Sequence, residues 1–298
     1  MKGLTFRERF IDPRSPDRRP RRAAYVLPTL FTSGNIFLGF LAILQAFQGA
    51  LQAQSGDLGP NPHFALAAKA IGFAVFFDGL DGRIARMTNT VSDFGRELDS
   101  IADVVTFGLA PAVLIFVWGV LFVMPPFEGQ VYRQLLRAGY FIAFVYLLCG
   151  AVRLARFNVQ TNPAPKNPGR PDRKYFVGMP IPSAAGFIAA VVFFFDSAPI
   201  RSFTYSVVWL IGAAIVSLLM VSNWRYPSFK QFSVSKPRTP LVAILMAGMA
   251  CLIWFWSQPM LLVMASTYVL SGIVIRVGGI VRRRLRRTPA KLSEHRVG

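Results

Sequence analysis

Hydrophobicity rises and falls along the chain in eight apolar runs, at residues 27–47, 64–77, 101–123, 138–154, 177–195, 203–221, 241–256 and 260–277. None alternates with a period of two, and lipid obliges a spanning backbone to satisfy its own hydrogen bonds, so each run predicts a helix. The first extends about 31 Å at ~1.5 Å per residue, the thickness of a bilayer's hydrocarbon core. The second is too short to cross alone. It predicts a helix that continues through Asp78 and beyond into water. The fold class expected is an all-α integral membrane protein of about eight transmembrane helices, with lipid as the solvent for most of the chain.

The polar positions between the runs give these helices an orientation. Of 33 Lys and Arg, all but Lys69, Arg133, Arg137 and Arg201 fall in the two ends or in alternate loops on one side. That asymmetry is the positive-inside pattern, and it predicts an even number of spans, both termini in the cytoplasm and a place in the cell (inner) membrane. A net charge of +19, with Arg282, Arg283, Arg284, Arg286 and Arg287 clustered, invites a nucleic-acid reading. The cluster directly follows an apolar run, where cations hold a membrane protein against anionic headgroups, so topology explains it and nucleic acid is not expected as a partner. Residues 1–23 form a basic cytoplasmic leader that also carries Glu8, Asp12 and Asp17. Acid there, and an apolar run longer than a signal peptide's, point to a retained first span. Cys149 and Cys251 lie in apolar runs without a ligand-spaced partner, so they indicate packing rather than a disulfide or zinc site. His63, in an outer loop, and His295, in the tail, suggest no chemistry.

Acid is scarce, and it is concentrated. Among 14 Asp and Glu, Asp78, Asp81, Asp93, Glu97, Asp99 and Asp103 crowd into one short segment at the edge of the apolar runs. Carboxylates at a bilayer edge are costly unless they are paired or bind a metal, which marks a functional site. Asp78, Gly82 and Arg86 stand at i, i+4 and i+8 and share a helix face, with Asp81 and Ala85 in the adjacent row. A carboxylate, a guanidinium about 12 Å further on and bare backbone between them form a slot for a diphosphate and its metal. Gly95, Asp99 and Asp103 repeat the spacing on the next helix, and a short connection makes the two helices antiparallel neighbours. Four facing carboxylates without clustered His or Cys select Mg²⁺ or Mn²⁺, two ions being expected. A plain salt-bridge network with Arg83, Arg86 and Arg96 is the alternative, but it requires no glycines.

From Asp78 to Asp103 the sequence resembles the signature of the CDP-alcohol phosphatidyltransferase family, DxxDGxxARx₈GxxxDxxxD, with every fixed position matched. The resemblance implies a six-helix core, a homodimer, and displacement of CMP from a CDP-linked lipid by an alcohol hydroxyl. It also implies that Asp78, Asp81 and Asp99 act mainly as metal ligands, with Asp103 completing the set and serving as base. Further stretches are similar to the branch that uses serine: residues 27–40 with Gly34, Asn35 and Gly39; Arg153, Arg156 and Asn158; Gly178, Pro180 and Pro182; and Pro227 with Phe229. One departure is Thr29, where relatives often carry asparagine. The implied substrates are CDP-diacylglycerol and L-serine, with phosphatidylserine as product and membrane lipids as surroundings. Gly82, Arg86, Gly95 and Asn35 are the candidate CDP-lipid contacts.

Arg153 and Arg156 satisfy the positive-inside pattern whatever they do, yet a serine carboxylate needs a partner and an arginine fork supplies one. Both are candidate serine ligands. Gly178, Pro180 and Pro182 either contact substrate or shape a helix entrance. The chain divides into the leader, a family core at 24–230, two additional helices at 231–278 and a basic cytoplasmic tail at 279–298. The sequence assigns no purpose to those two helices. Rival functions are a sister transferase using glycerol 3-phosphate or inositol phosphate, and a cation-coupled transporter. Acids at one edge, without two related halves, disfavour transport.

Overall fold

A computed structural model gives the structure at residues 22–88, 93–124, 129–161, 175–227, 248, 251–252 and 255–285; the backbone alone is described at 22–28, 81–88, 93, 160–161, 175–176, 225, 227 and 279–285. The order is α1 (Arg22–Gln54), α2 (Pro62–Thr88), α3 (Asp93–Asp103), a π-helical segment (Val104–Leu109), α4 (Ala110–Gly119), α5 (Gln130–Thr161), β1 (Tyr175–Val177), α6 (Ile181–Phe194), α7 (Phe203–Val221), β2 (Arg225–Pro227) and α8 (Ser257–Leu285). The chain is thus a multi-pass, all-α membrane protein with one short antiparallel ribbon, in which Tyr175 pairs with Pro227 and Val177 with Arg225.

Where the sequence predicts eight spans, six of the described helices are long and apolar enough to cross a membrane: Thr29–Gln54, Pro62–Leu80, Phe94–Gly119, Gln130–Val159, Phe203–Val221 and Ser257–Gly278. The run at 177–195 gives a helix of only 14 residues, α6, which extends about 21 Å. Its first residues go elsewhere: Val177 closes the ribbon, Gly178 turns with φ +78°, and Pro180 caps the helix. The run at 241–256 lies largely outside the described residues.

The second helix does continue past its apolar run, to Thr88. It begins where it does because Asn61 Oδ1 accepts from the backbone N–H groups of His63 and Phe64 at 3.0 and 3.3 Å, with Pro62 at the first helical position. Asn61 also donates to the Gly49 carbonyl at 3.0 Å, tying the start of α2 to α1. His63 sits in that first helical turn rather than in a loop, 2.8 Å from Gln45 Oε1.

Packing is inside out relative to a soluble bundle. Phe37, Phe40, Phe73, Phe76, Phe141 and Phe144 are exposed, while Ala42, Ala46, Ala67, Ala74, Ala184 and Ala185 are buried. Lipid accepts the large apolar side chains, and small residues let helix backbones approach. The closest approaches fall at glycines. A Cβ on Gly49 would lie 2.8 Å from the Phe64 ring, and one on Gly119 would run into Trp209. Cys149 packs against the core, and both Cys149 and Cys251 are free thiols. Lys69, within the span of α2, lies over the Phe193 ring at 5.3 Å from its centroid. That contact offsets part of the cost of a cation at this depth.

Candidate active site

Three aspartates converge at one end of the bundle. Asp78, near the apolar limit of α2, meets Asp99 and Asp103 of α3, and one carboxylate oxygen from each lies within 4.8 Å of the others. All three are half-buried. The helical spacing explains the second pair, since Asp99 and Asp103 are one turn apart on the same face. Gly95, one turn before Asp99, is half-buried on the same helix. Asp81, Gly82 and Arg86 fall on the last turns of α2, and their side chains lie outside the described residues.

Immediately after Asp103 the helix loosens into the π-helical segment, with the Ala110 N–H donating five residues back to the Val105 carbonyl. Neighbouring helices hold this segment in place. Thr106 Oγ1 donates to the Asn35 carbonyl at 2.9 Å, and Tyr146 Oη on α5 donates to the Phe107 carbonyl at 3.3 Å. On α1, Gly39 faces Thr106 so closely that a Cβ there would lie 2.7 Å from the Thr106 Cα. Asn35, one turn before Gly39, is 2% exposed, and its Oδ1 makes no hydrogen bond. A buried amide oxygen without a partner is costly.

The end of α5 forms the other wall. Asn158 Nδ2 donates to Ser100 Oγ at 2.8 Å, holding α5 against α3. The two candidate arginines separate here. Arg153 turns inward, facing Asp103 and Tyr268 electrostatically, with its Nε buried and making no hydrogen bond. Arg156 is exposed, and its Nη2 donates to Asn223 Oδ1 at 2.9 Å. Gly178 serves the backbone. A Cβ there would lie 2.5 Å from the Met220 carbonyl oxygen, and the Gly178 N–H donates to the Trp224 carbonyl at 2.8 Å. It closes the loop over the end of α7, so the helix-entrance reading accounts for it.

Two features escaped the sequence. The π-helical segment is one, because its Val, Thr, Phe, Gly and Leu also suit an α-helix. Tyr268 of α8 is the other, since nothing local ties it to residues more than a hundred positions earlier. A faint signal existed in Ala265, Tyr268, Val269 and Gly272 at helical spacing, a face with two small residues and one hydroxyl.

The donor set fits a hard divalent cation: three converging carboxylates with no thiol or imidazole among them. The family profile described as CDP-alcohol phosphatidyltransferase matches residues 25–221, which include every residue of this cluster. The chain belongs to the CDP-alcohol phosphatidyltransferase family. A CDP-diacylglycerol-serine O-phosphatidyltransferase of Helicobacter pylori is 31% identical over 255 residues, covering 86% of this chain and 92% of the relative. A protein of the same name from Bacillus subtilis is 36% identical over 206 residues, 69% of this chain and 92% of its own. An archaetidylserine synthase of Methanothermobacter thermautotrophicus is 32% identical over 203 residues, 67% and 69% of the two chains.

Proposed function

We propose that this chain transfers the phosphatidyl group of CDP-diacylglycerol to the hydroxyl of L-serine, giving phosphatidylserine and releasing CMP. The observation that carries the reading is the meeting of Asp78, Asp99 and Asp103 at one end of the bundle, in a chain similar over most of its length to enzymes named for that reaction. The serine oxygen forms a bond to the β-phosphorus, the one bonded to the lipid alcohol. The bond from that phosphorus to the bridging oxygen breaks, and the oxygen leaves with CMP.

Each residue then has a task. Asp78, Asp81, Asp99 and Asp103 would hold divalent cations, Mg²⁺ or Mn²⁺, which when bound neutralise charge on the diphosphate and leaving group. Asp103 accepts the proton of the attacking hydroxyl. Gly82, Gly95 and Arg86 line the diphosphate slot, and the free amide oxygen of Asn35 faces the nucleotide lipid. Arg153 takes the serine carboxylate, a role its buried, unbonded Nε supports, while Arg156 is engaged by Asn223. The lipid tails stay in the bilayer. Cytoplasmic termini, the inner membrane and a homodimer belong to the same proposal; the charge asymmetry supports the first of these and the family resemblance the last.

The test supplies the purified protein with CDP-diacylglycerol and Mn²⁺ or Mg²⁺, together with serine, glycerol 3-phosphate or inositol phosphate in separate reactions. CMP release with serine alone is expected. Product from another acceptor and none from serine would overturn the acceptor while leaving the family intact.

A further inference from the structure

The family match ends at residue 221, so α8 lies beyond the region that defines the family. Even so, α8 is built into the site. It packs against α6 and the ribbon. On its inward face Val269 and Gly272 are buried and Ala265 and Tyr268 half-buried, while Val263, Leu270 and Val274 are exposed. Gly272 admits the fully buried Tyr226 of β2, whose ring would collide with any added Cβ. The Tyr226 and Tyr268 rings then lie 5.7 Å apart at 34°, which fixes the height of α8 against the ribbon. At that height the Tyr268 side chain hydrogen-bonds Ser183 in the first turn of α6 and interacts electrostatically with Arg153 of α5.

A line of interactions thus runs from α6 through Tyr268, and electrostatically from Tyr268 to Arg153 and from Arg153 to Asp103. Arg153 lacks a hydrogen bond at its buried Nε, and a guanidinium so placed has rotamers to choose among unless a neighbour restricts them. Tyr268 is that neighbour. Its phenol is anchored at the hydroxyl by Ser183 and on the ring by Tyr226, so the arginine feels a hydroxyl held at a fixed place. The buried Tyr226 Oη, beside Tyr268, also makes no hydrogen bond.

We propose that Tyr268 is a positioning residue for the acceptor: it holds Arg153 in the orientation that receives the acceptor's carboxylate, so α8 contributes to acceptor recognition from outside the family core. The inference rests on the reading of Arg153 as the carboxylate partner given above, and the experiment separates the two.

The full-length protein, its Tyr268→Phe variant, Ser183→Ala, Arg153→Lys and the Arg153→Lys/Tyr268→Phe double variant are purified, and KM for serine, KM for CDP-diacylglycerol, kcat and thermal midpoint are measured for each. Phe keeps the ring against Tyr226 and removes only the hydroxyl. Loss of one orienting hydrogen bond predicts a rise of about 3- to 10-fold in KM for serine. The KM for CDP-diacylglycerol and the thermal midpoint should not move. Ser183→Ala should shift serine KM in the same direction. Because Tyr268 acts through Arg153, adding Tyr268→Phe to Arg153→Lys should change serine KM less than it does in the native background. If Arg153→Lys raises serine KM and Tyr268→Phe does not, the inference is overturned and the reading of Arg153 stands. If neither variant changes serine KM while serine turnover persists, both are overturned. Equal shifts in the two KM values, or a lowered thermal midpoint, would make Tyr268 a packing residue and overturn the inference as well.

Discussion

Asp103 occupies a junction, the last residue of α3 and the one before the helix loosens. Its carboxylate joins those of Asp78 and Asp99 while Arg153 faces it from α5. Facing the arginine proposed to take the serine carboxylate, Asp103 is proposed as base as well as cation ligand, with Asp78, Asp81 and Asp99 left to hold the cation when it is neutralised. A positioned base contributes ~10² to 10⁴ in rate, so Asp103→Asn should lower turnover by that range while CDP-diacylglycerol still binds. Asp78→Asn should instead weaken divalent-cation and CDP-lipid binding together, since an amide is a poorer ligand for a hard cation. Near-normal turnover of Asp103→Asn at saturating serine would remove it as the base and send the proton elsewhere. The aspartates were legible in the sequence because their spacing is itself a geometric statement: i and i+4 share a face in any helix. Arg153 and Arg156 were not separable, being three residues apart with the same chemistry. Their difference is decided by Asn223, which reaches Arg156 from the far end of α7.

At the scale of the element, the site depends on one irregular segment held from two sides. The sequence predicted a single helix through residues 101–123, and the span is continuous, but six of its residues adopt the wider π turn. Apolar composition does not tell the two apart. What selects the π form is its neighbours: the Asn35 carbonyl takes the Thr106 hydroxyl, and the Phe107 carbonyl takes Tyr146. Gly39 permits the first of these. A methyl group there would sit 2.5 Å from Thr106 Oγ1 and 2.7 Å from Thr106 Cα, so backbone must yield. Gly39→Ala should therefore destabilise the protein by about 1–3 kcal/mol and lower turnover as Asp103 shifts with the segment. Gly72→Ala is the control, because an added Cβ meets nothing within 4 Å and alanine favours the helix. Thermal midpoints in the same detergent decide the matter. Equal midpoints for the two variants would mean that the segment does not depend on close contact with α1.

At the scale of the whole molecule, the bundle has two unlike ends. One carries the aspartates, Arg153 and the ribbon; at the other, Gln258 Nε2 donates to Asp196 Oδ1 at 2.9 Å, pinning the start of α8 to the turn after α6. From charge alone the sequence expects the aspartate end to face the cytoplasm, because lysine and arginine are retained on the side where insertion leaves them. It did not foresee the shortness of α6, since an apolar run does not reveal that its first residues are spent on a ribbon and a positive-φ glycine. The polarity yields a prediction that needs no knowledge of the chemistry. Single cysteines at Ser55, in the turn after α1, and at Gln258 should react with a membrane-impermeant thiol reagent added to intact cells. Cysteines at Thr90, between α2 and α3, and at Ser235 should react only after the membrane is opened. The background Cys149 and Cys251 are replaced by serine first, because both are free thiols. Labelling of Thr90 from outside would place the aspartates on the outer face, away from a cytoplasmic pool of nucleotide-activated lipid and free serine. The charge argument would then have failed at the loop where acid and base are most closely mixed, with Arg83, Arg86 and Arg96 set among six carboxylates.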